Sequence, residues 1–312
     1  MRRRAAARRA TRIAALDCGT NSLRLLVADI SDGELTDVHR EMRVMRLGEG
    51  VDRTGVLAPA ALERTRAALV DYAATCRSLG ADRVRMVATS ATRDARNREE
   101  FTDLVRSVLG TDPEVVTGDA EAALSFDGAT RALDVEEGPF VVVDIGGGST
   151  EVVLGTRTVE VARSVDVGCV RLHERHLRDD PPTAAQIVAA TADVDAGLAL
   201  VRSAVPLERA RLSVFVAGTA TTVAAHALRL PAYEADRIHL SRFSPAEVVA
   251  ACTSLLEMPR TARAALPFMH PGRVDVIGAG ALVMRRVVEV LGLTVVVSEA
   301  DILDGIAWSL VA

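Results

Sequence analysis

Two stretches of this chain follow the same pattern: "IAALDCGTNSLRLLVADI" from Ile13 to Ile30, and "VVVDIGGGSTEVVLG" from Val141 to Gly155. Each is an apolar run that ends on an Asp, then a tight turn of Gly and hydroxyl residues, then a second apolar run. Short apolar runs punctuated this way read as the two strands of a hairpin. A hairpin-first unit starting near residue 13 and again near residue 140 makes the chain two copies of one plan. Neither copy has the short period of a solenoid.

The rest of each copy alternates between strand and helix. A strand near His39–Leu47 extends the first hairpin, and the spacing from Ala58 to Leu79 is helical, with Pro59 in its first turn. "RVRMVAT" reads as a buried strand, followed by one helix from "SATRDARN" to Gly110. A short strand and a helix beginning near Ala120 close this copy. The second copy opens with the Phe140–Asp144 and Glu151–Leu154 hairpin and continues through Thr158–Ser164. Helices at Val170–His176 and Thr183–Ala204 follow, separated by "DDPP", then strand–turn–helix units and a last strand and helix. The expected architecture is α/β with two lobes, 12–126 and 127–312, each on a five-stranded mixed sheet. The last helix is expected to cross back onto the first lobe. The only candidate seam, "DVEEGP" at 134–139, is short, which favours lobes packed around a shared cleft where ligands lie.

Composition narrows the chemistry. A net charge of −5 argues against whole-surface attraction to nucleic acid or an anionic membrane. All 37 basic residues are Arg, so Schiff-base chemistry and the Lys-containing phosphate loop are excluded. Cys18, Cys76, Cys169 and Cys252 are scattered, without metal-ligand spacing, and read as reduced cytoplasmic thiols. The Arg-rich start lacks an apolar signal core and reads as a tail or a weak polyanion tether. "LSVFVAGTATTVAAHAL" reads as strand, turn and helix rather than a membrane span, and "HERH" at 173–176 lacks the HExxH spacing of a zinc site.

A glycine turn after a strand aims successive backbone N–H groups at one point, an anion-binding concavity. Gly146, Gly147, Gly148 and Ser149 form one such turn; Gly19, Thr20, Asn21 and Ser22 form a second with hydroxyls and an amide added. Facing each other across a cleft, they would hold a phosphate chain. Asp17 and Asp144 end the first strands, and Glu151 begins the second strand of the later hairpin. Carboxylates beside phosphate repel it unless a cation intervenes, and Mg²⁺ suits that arrangement. The alternative is that each Asp only caps its turn; the duplication argues against it.

The paired turns resemble the phosphate loops of the sugar-kinase, heat-shock chaperone and actin superfamily. More narrowly, the chain resembles the exopolyphosphatase/guanosine pentaphosphate phosphatase family. "VATSATRDARN", "VTGDAEAALSF", "GCVRLHERHL", "VFVAGTATTVAAH" and "RVDVIGAGALVMRRVVEVLG" occur in that family's order. The resemblance implies two actin-like, ribonuclease H-like lobes and a homodimer. It makes Glu121 the base that activates water, Arg93 a phosphate-binding residue, and Asp144, Glu151 and Glu121 the side chains converging on Mg²⁺. Asp17 and Arg171 are secondary candidates, Arg171 being either a polyanion contact or a helix-surface residue. "AGTATT" at 217–222 matches the superfamily's adenosine-side loop. Where the family often carries a basic residue near the end, this chain has Leu303, which puts distal polyanion or nucleotide contacts in question, though not the reaction centre. It also lacks the C-terminal helical domains of longer members, so short polyphosphates are the expected substrates. Removal of the terminal phosphate of polyphosphate is the first expectation and of guanosine pentaphosphate the second; a polyphosphate- or nucleotide-binding regulator without turnover is the third.

Overall fold

The computed structural model describes residues 10–31 and 33–311; the basic run at 2–9 lies outside the described residues. Both repeated motifs form antiparallel hairpins. In the first, β1 (Thr11–Cys18) and β2 (Ser22–Ser31) pair in a register that sets Asp17 opposite Arg24. β3 (Glu34–Val44), β4 (Arg83–Ala88) and β5 (Glu114–Val115) complete a five-stranded mixed sheet ordered β3-β2-β1-β4-β5.

The second sheet repeats this plan with β6 (Phe140–Ile145), β7 (Thr150–Gly155), β8 (Val159–Val165) and β9 (Leu212–Val216). Here the register sets Asp144 opposite Glu151. β10 (Ser241–Phe243) and β11 (Val295–Val297) extend it to six strands, ordered β10-β11-β9-β6-β7-β8. The sixth strand, "SRF", is too short to show a period in sequence; it exists because it pairs with β11.

Helices cover both faces of each sheet, which is why inner strands such as β6, β7 and β9 are buried without alternation. The edge strands β3 and β8 are more polar and largely exposed or half-buried. On one face of the first sheet, Leu16 and Leu25 pack with Leu69, Tyr72 and Phe101 of helices Pro59–Ser78 and Arg98–Leu109. On its other face, Ile13, Leu26 and Val87 pack with Ile306 of the last helix, Ile302–Ser309. In the second sheet, Val142, Val153 and Val214 pack with Ala122 and Phe126 of helix Gly118–Thr130. The opposite face receives helices Ala184–Ala204, Ala217–Ala227 and Ile277–Leu291. Helix Ala184–Ala204 is apolar and long enough to cross a membrane; it lays Ala190, Val194, Leu198 and Val201 into this core.

The 90–110 spacing reads as one helix, but the chain forms two, Ser90–Asp94 and Arg98–Leu109. The break has a local cause. The Asn97 side chain accepts from the Leu57 amide at 2.8 Å and donates to the Leu57 carbonyl at 3.1 Å, pulling the chain out of helical geometry.

Helix Gly118–Thr130, on the second sheet, and the last helix, on the first, cross each other at two glycines. A Cβ on Gly128 would run into the Asp301 carbonyl, and one on Gly305 into that of Leu124. Contact this close needs bare backbone on both sides. In an ordinary helix Gly→Ala gains about 1 kcal/mol. Here overpacking of about 1–3 kcal/mol should outweigh that gain, so Gly305→Ala should cost up to about 2 kcal/mol net. A thermal unfolding midpoint lowered by several degrees is expected; an unchanged or raised one would mean the helices part freely.

Candidate active site

The two hairpin turns meet face to face. Each is closed by the same bond: the Gly19 amide donates to the Ser22 carbonyl at 2.9 Å, and the Gly146 amide to that of Ser149 at 3.0 Å. Those two amides are thus spent on the turns themselves. The next glycines pack against the first lobe. A Cβ on Gly147 would lie 2.8 Å from Cβ of Thr20, and one on Gly148 would lie 2.6 Å from Oγ of Ser90. Thr20 and Ser90 share a hydroxyl–hydroxyl bond of 2.9 Å. The glycine run therefore also serves the close approach of the lobes.

Between the turns lies a cavity of about 100 Å³, lined by Gly19, Thr20, Asn21, Ser22, Gly146, Gly147 and Ser149 and by the carboxyl groups of Asp17, Glu121 and Asp144. Gly148 is turned away toward Ser90. Arg93 reaches the site from helix Ser90–Asp94: its Nη1 donates to Oε2 of Glu121 at 3.0 Å and to the Val116 carbonyl at 3.1 Å. The Glu121 carboxyl is itself pushed well above the usual range, by burial and by nearby Glu151, with Arg93 opposing.

The two hairpins differ at one position, and the electrostatics follow from it. Directly opposed residues on an antiparallel pair share a face. In the first lobe Arg24 answers Asp17, with Nη2 and Nε bonded to Asp17 Oδ2 at 2.7 and 2.9 Å. The same guanidinium also pairs with Asp301 at the start of the last helix. In the second lobe Glu151 stands where Arg24 would be, so two buried carboxyl groups face each other. Burial, with Asp301 nearby, pushes Asp144 up to about 6; burial, then repulsion from Asp144, pushes Glu151 up to about 7. Hydroxyls donate to both, Ser125 to Asp144 Oδ2 and Ser164 to Glu151 Oε1, each at 2.7 Å.

Among the described residues no three His, Cys, Asp or Glu side chains gather as a closed ligand group. Glu121, Asp144 and Glu151 thus form no three-ligand group; they are bonded to Arg93, Ser125 and Ser164 respectively. What remains is unmet acceptor capacity. Glu151 Oε2 and Asp17 Oδ1 are buried without a hydrogen-bond partner, which is costly for charged oxygens. Hard oxygen donors with spare capacity beside a cavity fit Mg²⁺, which takes one or two carboxylates and completes its shell with water and phosphate.

Two site residues, Arg24 and Arg273, lie inside quoted motifs that do not by themselves single them out. Arg24 becomes visible only when the hairpin register is known. Arg273 lines the cavity, and its Nη1 donates to neutral oxygens, the Gly218 carbonyl at 2.8 Å and Thr222 Oγ1 at 3.2 Å. Burial lowers its hold on its proton. Ala217 and Gly218 of the "AGTATT" turn also line the cavity. Arg171 does not: its guanidinium is held by Gly148, Asp52 and Asp94. Beside the cavity lies a second hollow of about 510 Å³, sharing Arg24, Gly218 and Arg273 and walled by Met42, Tyr233, Phe268 and Leu303.

Comparison with known proteins shows the family. The model of the Ppx/GppA phosphatase family matches residues 26–309. Exopolyphosphatase 2 of Mycobacterium tuberculosis is 52% identical over 314 aligned residues, spanning 96% of this chain and 98% of the relative. A guanosine-5'-triphosphate,3'-diphosphate pyrophosphatase of Vibrio atlanticus is 34% identical over 55% of this chain and 34% of its own length. The crystal structure of an exopolyphosphatase-like protein superimposes with a TM-score of 0.93 at 40% identity, covering 97% of this chain and 99% of that one. The Ppx/GppA family member of Aquifex aeolicus superimposes with a TM-score of 0.81 at 29% identity, covering 97% and 98%. The chain belongs to the Ppx/GppA phosphatase family.

Proposed function

We propose that this protein is an exopolyphosphatase, hydrolysing the terminal phosphoanhydride bond of inorganic polyphosphate. The observation that carries the reading is the Arg93–Glu121 pair beside a cavity walled by two phosphate-loop turns. The relative named exopolyphosphatase 2, matched over nearly the whole chain, supports the substrate class. Backbone amides following Gly19 and Gly146 hold oxygens of the end phosphates. Glu121 takes the proton of a water whose oxygen bonds to the terminal phosphorus, while the bridging P–O bond breaks and the shortened chain leaves. Burial and neighbouring acids raise the proton affinity of Glu121, and Arg93 on the same carboxylate keeps the ionised form accessible. The planar fork of Arg93 stabilises charge on the transferred phosphoryl group. Asp144 and Glu151, with Asp17 nearby, would hold Mg²⁺, which when bound neutralises phosphate charge.

The small cavity supports attack at a chain end. The adjoining hollow mixes Arg24, Arg40 and Arg273 with Glu41, Glu299 and Asp301, so it offers no continuous basic track. That supports a preference for short chains. Its Tyr233 and Phe268 favour a second reading, removal of the terminal phosphate of guanosine pentaphosphate with the nucleoside in the hollow. All four cysteines are free and buried, which supports a reducing compartment such as the cytoplasm.

Phosphate release from short polyphosphate, long polyphosphate, guanosine pentaphosphate and ATP separates these readings. Short polyphosphate is expected to be turned over fastest, with activity lost in chelator; no release from any of the four would sink the enzyme reading. Asp144→Asn should raise the Mg²⁺ concentration needed for half-maximal rate. Glu121→Gln should lower turnover by roughly 10²–10⁴-fold while leaving substrate affinity intact, whereas Arg93→Ala should weaken both. Equal loss of binding and rate in Glu121→Gln would make Glu121 a structural residue.

A further inference from the structure

Arg171 has all three of its guanidinium nitrogens engaged, two of them across the lobes, and the function proposed above leaves it without a task. It sits on helix Cys169–His176, with only 12% of its side chain exposed. Its Nε donates to the Gly148 carbonyl of its own lobe's turn at 2.8 Å. Its Nη1 and Nη2 cross to the other lobe, to Asp52 Oδ1 at 2.8 Å and Asp94 Oδ2 at 2.5 Å.

The elements at both ends of this contact are tied to a phosphate-loop turn. Helix Cys169–His176 grows out of the second turn, with the Cys169 amide on the Gly146 carbonyl at 3.0 Å and the Val170 amide on that of Gly147 at 2.9 Å. Asp94 shares its helix with Ser90, which bonds Thr20 of the first turn. Asp52 follows a segment anchored by the Gly48 amide on the Thr20 carbonyl at 2.8 Å. Two neighbours reinforce the contact: Arg175 grips Asp52 at 2.7 and 2.8 Å, and Glu174 accepts from the Gly50 amide at 3.1 Å. Val51 and Ala95 belong to the first-lobe core on the sheet face opposite the last helix. The glycine crossing thus joins the lobes on one side, and this ionic contact, beside the packed turns, joins them on the other.

We propose that Arg171, with Asp52 and Asp94, is a cross-cleft brace, a set of positioning residues that fixes the second phosphate-loop turn against the first. A planar fork meeting two carboxylates and a carbonyl at once has the directional rigidity for that task. The substrate arm of the following test rests on the exopolyphosphatase reading; the structural arm does not.

Asp52→Asn, Asp94→Asn and the double variant remove charge without changing shape, at positions outside the catalytic machinery. Hydrogen exchange measured without substrate should quicken at Gly50 and across residues 146–150 in the double variant, with other segments unchanged. KM for tripolyphosphate should rise by about 3- to 10-fold, the scale of a partly exposed ion-pair network, with kcat nearly unchanged. If Arg171 is instead a phosphate ligand held in reserve, freeing it adds a cation beside the substrate and KM falls. A lowered or unchanged KM with unaltered exchange overturns the brace. Faster exchange at these segments in a protein that releases no phosphate from any polyphosphate keeps the brace and removes the exopolyphosphatase reading.

Discussion

The structure turns on what faces the Asp at the end of each hairpin's first strand. In the first lobe Asp17 meets Arg24, and the pair is satisfied within the protein apart from one buried oxygen, Asp17 Oδ1. In the second lobe Asp144 meets Glu151. Arg24 and Arg93 lie near enough to favour their charged forms but neither forms an ion pair with them, and burial and acid repulsion prevail. Two buried carboxyl groups side by side either hold a proton or require a cation. The duplicated fold thus builds one closed and one open electrostatic site from the same backbone. The open one borders the cavity between the turns.

The closed site has a second use. Arg24 also binds Asp301, which caps the last helix, and Asp304 one turn later meets Arg40 of β3. These contacts fix the last helix to the first sheet, and through the Gly128–Gly305 crossing that helix holds the one lying on the second sheet. The carboxylate geometry of the site is therefore anchored to the same crossing that joins the lobes. A steric change at either glycine should be felt at Asp17 as well as in stability.

Much of this was legible in the sequence because it repeats. The hairpins, the glycine turns, the terminal Asp residues and the strand–helix alternation are local signals, and each is backed by its copy. Glu121 and Arg93 were found by resemblance, not by physics, since a Glu and an Arg early in helices carry no chemistry of their own. Their contact depends on the β4 and β5 neighbourhood, which lies far apart in sequence. Arg24 was within reach, because a turn closed between Gly19 and Ser22 puts residue 24 opposite residue 17. Arg273 opens the "RVDVIGAGALVMRRVVEVLG" segment, but its contact with Gly218 is made only by tertiary packing. The same holds for β10, which is defined by its partner strand, and for the break at Asn97, which is made by the backbone of Leu57.

The proposed role of the Asp144–Glu151 pair is to hold a divalent cation, a reading that the unpartnered Glu151 Oε2 supports. Its most direct test is the thermal unfolding of Glu151→Gln beside the parent protein, in chelator and in excess Mg²⁺. Ligand binding to the folded state raises the midpoint by mass action, so the parent should gain stability from Mg²⁺. The variant, relieved of one of two opposed buried charges, should be the more stable protein in chelator and should gain little from the ion. A variant that is less stable in chelator, yet gains as much from Mg²⁺ as the parent, would contradict the account.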